Sequence, residues 1–433
     1  MTPQSSVFVM AALKIEREAE LRVLLASMNE LSGQANPANP LVPFTEFRQI
    51  HYARFAILED ETLGDIHAYF LPRVDYPVCL SFMADFDGMA DDFRAELAQR
   101  AGAGLDRIFS CCQGYTPGTN LAQWMKNHEH PAAAMYVNWV GRTAAQVEEE
   151  NALRLALEAE MQSAPSAYEG KTPRQIHAAL KDFVYREKYE GRLKLTAPQA
   201  TPFSWWFRNL VHLVGVPLVL LALAPVLILY APVFLYQLRT REKSDPEIAP
   251  QVDPAYEEEL AHLEDHDVTN QFTVIGSVKP GRFRRGTLIF VLWVLNWTAR
   301  HIFNRGHLAR VSTIHFARWV FVNDKRRVVF ASNYDGSLDS YMDDFINKVG
   351  WGLNLAFSVG IGYPTTNWLV LDGSKNEQKF KYVLRRHELP TEVWYKAYPG
   401  LTAFDLRRNG RIRQGIERSA ASAEELREWA ALL

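Results

Sequence analysis

Two stretches of this chain carry the same pattern: residues 50–55 read IHYARF and residues 314–319 read IHFARW, at an offset of 264 residues (315 − 51). A second pair follows at an offset of 248 residues (335 − 87), DFDG at 85–88 and NYDG at 333–336. Further pairs in the same order are 104–106 with 352–354 and 128–129 with 387–388. Ordered matches at nearly constant offset predict an internal duplication.

The second copy shows the order of elements most clearly. The pattern predicts strands where β-branched and aromatic residues are dense, and helices between them. The predicted elements are strand 271–278, helix 287–303, strands 312–322 and 327–332, helix 339–355 and strand 392–398. This β-α-β-β-α-β order is the ferredoxin-like unit, and the first copy gives the same order. The predicted domains are repeat 1 (1–155), a helical linker (156–204), a membrane-inserting apolar segment (205–242), an acidic linker (243–268) and repeat 2 (269–433).

Two such units in one chain predict an α+β fold in which duplicated ferredoxin-like halves form a pseudo-dimeric α+β barrel. This arrangement resembles the dimeric α+β barrel superfamily, and within it the duplicated dye-decolorizing peroxidases. Those enzymes carry a GxxDG motif, which residues 85–88 and 332–336 resemble without its first glycine. The resemblance implies a haem cofactor, peroxidase chemistry and an acid-base role for Asp87 or Asp335 in a distal haem pocket.

Charge and cysteine content narrow the class of protein. The formal net charge is −3, which argues against nucleic acid as a main partner because phosphate binding needs a basic excess. Cys79, Cys111 and Cys112 have neither metal-site spacing nor a disulfide pattern, so a reducing compartment is expected.

The apolar segment between Arg208 and Arg239 contains no formally charged residue and exceeds the roughly 20 residues needed to span a bilayer. Trp205 and Trp206 precede it, as in an interfacial aromatic belt. If the two halves pair, both ends of the segment must lie on one side of the membrane. We therefore expect a proline-turned hairpin or a re-entrant, monotopic insertion with both halves on the cytoplasmic side. A single crossing with independent halves is the alternative.

A second apolar run, residues 286–299, is too short to span comfortably. Its basic lead-in and its tryptophans, Trp293 and Trp297, are typical of a helix lying on anionic lipid. The alternative is a helix buried between the halves.

The paired IH[YF]AR[FW] strands supply the candidate catalytic residues His315 and Arg318, and in repeat 1 His51 and Arg54. Because side chains alternate along a strand, the histidine and the arginine of each strand should point to opposite faces. A buried arginine needs a partner, and the expected one is Asp335, or Asp87 in repeat 1. The pattern fits a cavity lined by arginine, aspartate and histidine, and equally a structural arginine–aspartate contact repeated in both halves.

His307 has no counterpart in repeat 1 and follows the apolar helix, which makes it a candidate haem ligand. The acidic linker contains His262, Glu264 and His266, but a solvated helix explains that composition better than a metal site.

Three functions are compatible with these features of the sequence. The first is a membrane-associated, peroxidase-like oxidoreductase acting on lipid-derived or other apolar small-molecule substrates. The second is a non-catalytic protein that binds membrane lipids or acts as a membrane scaffold. The third is a cofactor-free enzyme using the arginine–aspartate–histidine cavity. Each is compatible with a homo-oligomer.

Overall fold

The computed structural model of this protein describes residues 1–418 and 422–433 and has a mixed α+β architecture with one long apolar helix. The strands are β1 (Gln4–Ala12), β2 (Asn29–Leu31), β3 (Gln34–Ala35), β4 (Ile50–Leu58), β5 (Cys79–Asp87), β6 (Ala132–Val137), β7 (Thr269–Ser277), β8 (Ile314–Val322), β9 (Arg327–Asp335), β10 (Thr366–Asn367), β11 (Leu371–Asp372) and β12 (Thr391–Lys396).

The α-helices are α1 (Glu18–Ala26), α2 (Ala90–Arg100), α3 (Gly102–Phe109), α4 (Leu121–Asn127), α5 (Ala144–Ser163), α6 (Pro173–Tyr189), α7 (Phe203–Ser244), α8 (Pro254–Ala261), α9 (Arg282–His301), α10 (Leu338–Phe357), α11 (Glu377–His387), α12 (Ala403–Glu417) and α13 (Ala423–Ala430). In the C-terminal region the order is β7, α9, β8, β9, α10, β12, as predicted, with α11 before the last strand.

Each large sheet combines strands from both ends of the chain. The six-stranded sheet has the order β1-β5-β4-β12-β3-β2, and the four-stranded sheet has the order β6-β8-β9-β7. The strands β12 and β6 are therefore exchanged: β12 pairs with β4, and β6 pairs with β8. Both exchanged pairs are antiparallel with equivalent registers, since Tyr395 lies opposite Ala53 and Tyr136 lies opposite Ala317.

Backbone hydrogen bonds also connect the edges of the two sheets. Met10 N donates to His128 O at 3.0 Å, and His130 N donates to Phe8 O at 2.8 Å, which joins β1 to the segment leading into β6. Correspondingly, Leu389 N donates to Thr273 O at 2.8 Å and joins β7 to the segment leading into β12. The segment just before β6 or β12 therefore bonds to the edge of one sheet, and the strand that follows joins the other sheet.

The space between the sheets has an apolar and a polar part. Phe8, Met83, Ile275 and Val320 belong to an apolar cluster contributed by both sheets. Further along the same strands, the side chains on this face are polar. They include Arg54, Asp85, Arg318 and Asn333, which are all buried. The pleat explains this arrangement, because residues i and i+2 of a strand face the same side.

Helix α7 is one continuous helix of 42 residues, so the predicted proline-turned hairpin is wrong. Pro217, Pro225 and Pro232 all lie inside it. Proline removes one backbone hydrogen bond and crowds the preceding turn, but an apolar helix can absorb this locally without reversing direction. Among the described residues, α7 is the one helix long and apolar enough to cross a membrane.

The segment interpreted as a helical linker takes part in a separate helical layer. Helices α5 and α6 pack against α12 and α13 around a shared apolar cluster that includes Leu153, Leu180, Ile412 and Trp429. Helices α5 and α12 each follow an exchanged strand.

Candidate functional site

The first histidine–aspartate pair lies at the N-terminus of α5. His51 Nε2 lies 3.0 Å from Asp87 Oδ1, and His51 Nδ1 lies 2.9 Å from the Tyr398 hydroxyl. The other carboxylate oxygen of Asp87 accepts a 2.8 Å hydrogen bond from Ala144 N, the first residue of α5. An anion at a helix N-terminus is favourable because the free N–H groups and the helix dipole carry positive charge there.

The second pair repeats this geometry at the N-terminus of α12. His315 Nε2 lies 2.7 Å from Asp335 Oδ1, and Asp335 Oδ2 accepts a 2.8 Å hydrogen bond from Ala403 N. Thr269 adds a 3.3 Å hydrogen bond to the same aspartate. Both histidines are buried. In each histidine–aspartate pair the aspartate therefore connects the end of a strand to the helix that follows the exchanged strand, which is a structural role.

The predicted partner of Arg318 was Asp335, and this prediction is wrong. Arg318 forms its salt bridge with Asp85. Its guanidinium also donates to Val7 O at 3.0 Å. Asp85 precedes Asp87 by two residues on β5, and the pleat places it between the sheets. Arg318 and His315 thus share no hydrogen-bonding partner among the described residues, and the expected cavity lined by Arg318, Asp335 and His315 is not formed by direct contact.

Arg54, the counterpart of Arg318, has no carboxylate partner within residues 1–418 and 422–433. Its guanidinium donates to Thr273 Oγ1 at 2.9 Å, to Phe272 O at 3.1 Å, to Ser332 O at 3.0 Å and to the side chain of Asn333. Burial and the neighbouring Arg318 lower the pKa of Arg54 to about 9, so the side chain stays a cation at neutral pH.

Asn333 and Asp85 link the two arginines into one buried network. Asn333 occupies the position equivalent to Asp85 at the offset of 248, and its Nδ2 donates to Asp85 Oδ2 at 3.1 Å. The order Arg54–Asn333–Asp85–Arg318 therefore places two guanidiniums around one carboxylate. The hydrogen bonds compensate for burial of the charges, and the network holds the two sheets together.

His307 is exposed on the loop after α9. An exposed loop histidine does not fit the axial ligand of a buried haem.

An apolar cavity lies between β7, β9 and α11, and His387 also lines it. It measures about 80 Å³, whereas sites for drug-sized ligands start at roughly 300 Å³. The described residues also contain no group of histidine, cysteine, aspartate and glutamate that could hold a metal ion.

A buried carboxyl pair was missed by the sequence analysis. Arg385 Nη1 lies 2.7 Å from Glu264 Oε2 and 3.0 Å from Glu388 Oε2. Burial, and then the adjacent Glu264, raise the pKa of Glu388 well above its usual value. Glu264 lies in the acidic linker, which its composition predicts to be solvated, but its side chain is buried. The pairing depends on contact between distant segments, so no local pattern could reveal it.

The raised pKa of Glu388 predicts a pH-dependent stability. A carboxyl whose pKa is higher in the folded state contributes stability below its unfolded pKa of about 4.3, and that contribution is lost as pH rises through the folded pKa. We expect Glu388→Gln to abolish this loss of folding stability at higher pH, because glutamine resembles the protonated acid and cannot ionise. Urea denaturation from about pH 5 to about pH 8 should then show a flatter pH profile than wild type. The exposed substitution Glu30→Gln should keep the wild-type profile, and an unchanged slope in Glu388→Gln would contradict the assignment.

Helix α7 lies antiparallel along α9 and contacts it near both ends. At the N-terminal end, Trp297 Nε1 donates to Leu213 O at 3.1 Å, and Arg300 Nε donates to Asn209 Oδ1 at 2.7 Å. At the C-terminal end, Leu238 packs in a cluster with Val291 and Leu369. Glu242 is buried there and accepts hydrogen bonds from Thr366 Oγ1 at 3.0 Å and from Leu369 N at 2.8 Å.

Between these contacts the outer surface of α7 is exposed and apolar. Among its large apolar side chains, Leu221 and Ile228 are each 71% exposed and Leu229 is 80% exposed. Asn209, His212 and Val216 are less exposed and recur at helical spacing, whereas every residue from 225 to 230 is exposed. The run 286–299 belongs to α9, which lies between the four-stranded sheet and α7. Phe290 on this helix is 44% exposed.

A cavity of about 420 Å³ opens where α7 begins, between α7, α9, β1 and β6. Its lining includes Ser6, Trp205, Arg208, Asn296 and Arg300. No protein-family model, curated protein or solved structure matches this chain.

Proposed function

We propose that this protein is a membrane-associated lipid-binding scaffold, in which α7 lies along the membrane surface and the folded body stays on one side. The observation that carries the proposal is the attachment of both ends of α7 to α9, with an exposed apolar surface between them. Soluble proteins rarely expose an apolar surface of this length unless something covers it. A bilayer interface fits because basic residues occur at both ends of the helix and two tryptophans occur at its N-terminal end.

An in-plane position agrees with the contacts better than a crossing does. A helix that crossed the bilayer would carry its two ends to opposite sides, about 30 Å apart. Here Asn209 at one end and Glu242 at the other are both bound to the same folded body. The free, buried Cys79, Cys111 and Cys112 support a reducing compartment and hence the cytoplasmic side.

We infer further that the two halves are copies that close into one pseudo-dimeric α+β barrel. Equivalent contacts at equivalent positions support this inference. Tyr363 OH donates to Asn354 Oδ1 at 2.9 Å, and Tyr115 donates to Asp106 at the offset of 248. The exchanged strands and the hydrogen bonds at both sheet edges supply the closure.

The peroxidase-like oxidoreductase and the cofactor-free enzyme stay predictions. In the described residues, the polar atoms that would serve chemistry are occupied by helix N-termini and by the buried arginine network. An absorption spectrum of the purified protein is the direct measurement for haem. The scaffold proposal needs none of these groups to react.

Cysteine accessibility tests the in-plane position. Ser204 and Ser244 are exposed serines at the two ends of α7. In sealed membrane vesicles, Ser204→Cys and Ser244→Cys should react with a membrane-impermeant maleimide from the same side, since both ends lie on one side. The wild-type protein is the control, because its cysteines are buried. Labelling of the two positions from opposite sides would establish a crossing and overturn the proposal.

A further inference from the structure

The cavity at the start of α7 contains two arginines that no carboxylate neutralises. Within the described part of the chain, neither Arg208 nor Arg300 forms a salt bridge, and each guanidinium uses only its Nε. Arg208 Nε donates to Ser204 O at 3.3 Å, and Arg300 Nε donates to Asn209 Oδ1 at 2.7 Å. The terminal nitrogens of both side chains are left for a ligand. A planar guanidinium with two such nitrogens matches the oxygens of a phosphate group.

The surroundings hold Arg300 in place and concentrate positive charge. Its guanidinium lies 5.5 Å from the centroid of the Trp205 ring, in cation–π geometry. Burial, together with the nearby Arg208, lowers the pKa of Arg300. An anion bound between the two arginines would offset both the cost of burying the charge of Arg300 and its repulsion by Arg208. Glu129 also lines the cavity, but it is paired with Arg94.

The position of the cavity indicates which anion would reach it. Trp205 and Trp206 lie just before the uncharged segment of α7, at the level where aromatic side chains meet lipid head groups. The exposed apolar surface of α7 begins within one turn, at Leu210. A ligand with a phosphate at one end and acyl chains at the other would match both surfaces.

We propose that this cleft binds the phosphate of an anionic phospholipid, held by Arg208 and Arg300, with its acyl chains along α7. The inference rests on the proposed membrane association and adds the class of lipid recognised. Ser6 and Asn296 at the cavity wall supply polar groups for the rest of the head group.

Vesicle binding separates this site from general membrane affinity. Wild type should bind phosphatidylcholine vesicles containing phosphatidylglycerol more tightly than pure phosphatidylcholine vesicles. Arg208→Gln and Arg300→Gln should each weaken binding to the anionic vesicles by about fivefold. Binding to the neutral vesicles should stay unchanged. The preference for anionic over neutral vesicles should therefore fall. Arg300→Lys should retain part of the preference. The control is Arg107→Gln, an exposed cation on α3.

The outcomes are distinguishable. If both glutamine variants keep the wild-type preference, or if Arg107→Gln loses as much, the site is wrong. If inorganic phosphate or glycerol phosphate displaces the protein from anionic vesicles at low millimolar concentration, the ligand is a free phosphate compound and the lipid assignment falls. Because Arg208 contacts only its own helix, its variant should stay folded. Failure of wild type to bind even neutral vesicles would instead refute the membrane association itself.

Discussion

Asp85→Asn is expected to destabilise the protein by about 3–5 kcal/mol, the usual cost of removing one partner from a buried ion pair. The substitution leaves Arg54 and Arg318 between the sheets with no anion. Both arginines are almost completely buried, so water cannot replace the lost charge. Urea denaturation in a non-ionic detergent would measure the loss.

Asn333 offers a position from which a second substitution can restore the lost carboxylate. Asn333 already contacts Arg54 and Asp85, so the double variant Asp85→Asn with Asn333→Asp moves the carboxylate without removing it. It should recover at least about 1 kcal/mol relative to Asp85→Asn alone, a coupling that a double-mutant cycle detects. As a control, Asp75→Asn removes an exposed carboxylate and should leave the midpoint nearly unchanged. A double variant no more stable than Asp85→Asn would show that the network does not act as one charge-balanced unit.

Replacing Leu221, Ile228 and Leu229 together with glutamate should reduce membrane binding more than a hundredfold. Each of these exposed side chains contributes about 1.5–3 kcal/mol when it leaves water for an apolar environment, and each glutamate adds the cost of placing a charge at the membrane. Flotation with phosphatidylcholine vesicles and fractionation of expressing cells would measure the effect.

The matched control changes three exposed apolar residues elsewhere. Val23, Leu155 and Tyr185 lie on α1, α5 and α6, away from α7. Their replacement by glutamate should leave binding as in wild type, and neither triple variant should unfold, since none of the six side chains is buried. Equal binding by the two triple variants would exclude α7 as the membrane-contacting surface.

Which residues could be predicted from the sequence depends on the range of the interaction. Alternation within a strand predicts His315 and Arg318 on opposite faces, but the register of β8 against β9 shifts between Ile314 and Phe316, which breaks the alternation at His315. Alternation also could not identify Asp85 as the partner of Arg318, because that contact joins two segments far apart in the chain. The same reason explains why the pair Glu264 and Glu388 was missed.

Local periodicity and composition were enough to predict the order of strands and helices in the C-terminal region and the position of the apolar segment that forms α7. The exchange of β6 and β12, the pairing of Arg318 with Asp85 and the single continuous helix α7 could be seen only in the folded protein. The edges of both sheets offer backbone hydrogen bonds, so the local sequence of β6 or β12 does not determine which sheet the strand joins. Likewise, a proline is compatible with a turn or with a continuous helix. In both cases, packing against residues distant in the chain determines which alternative forms.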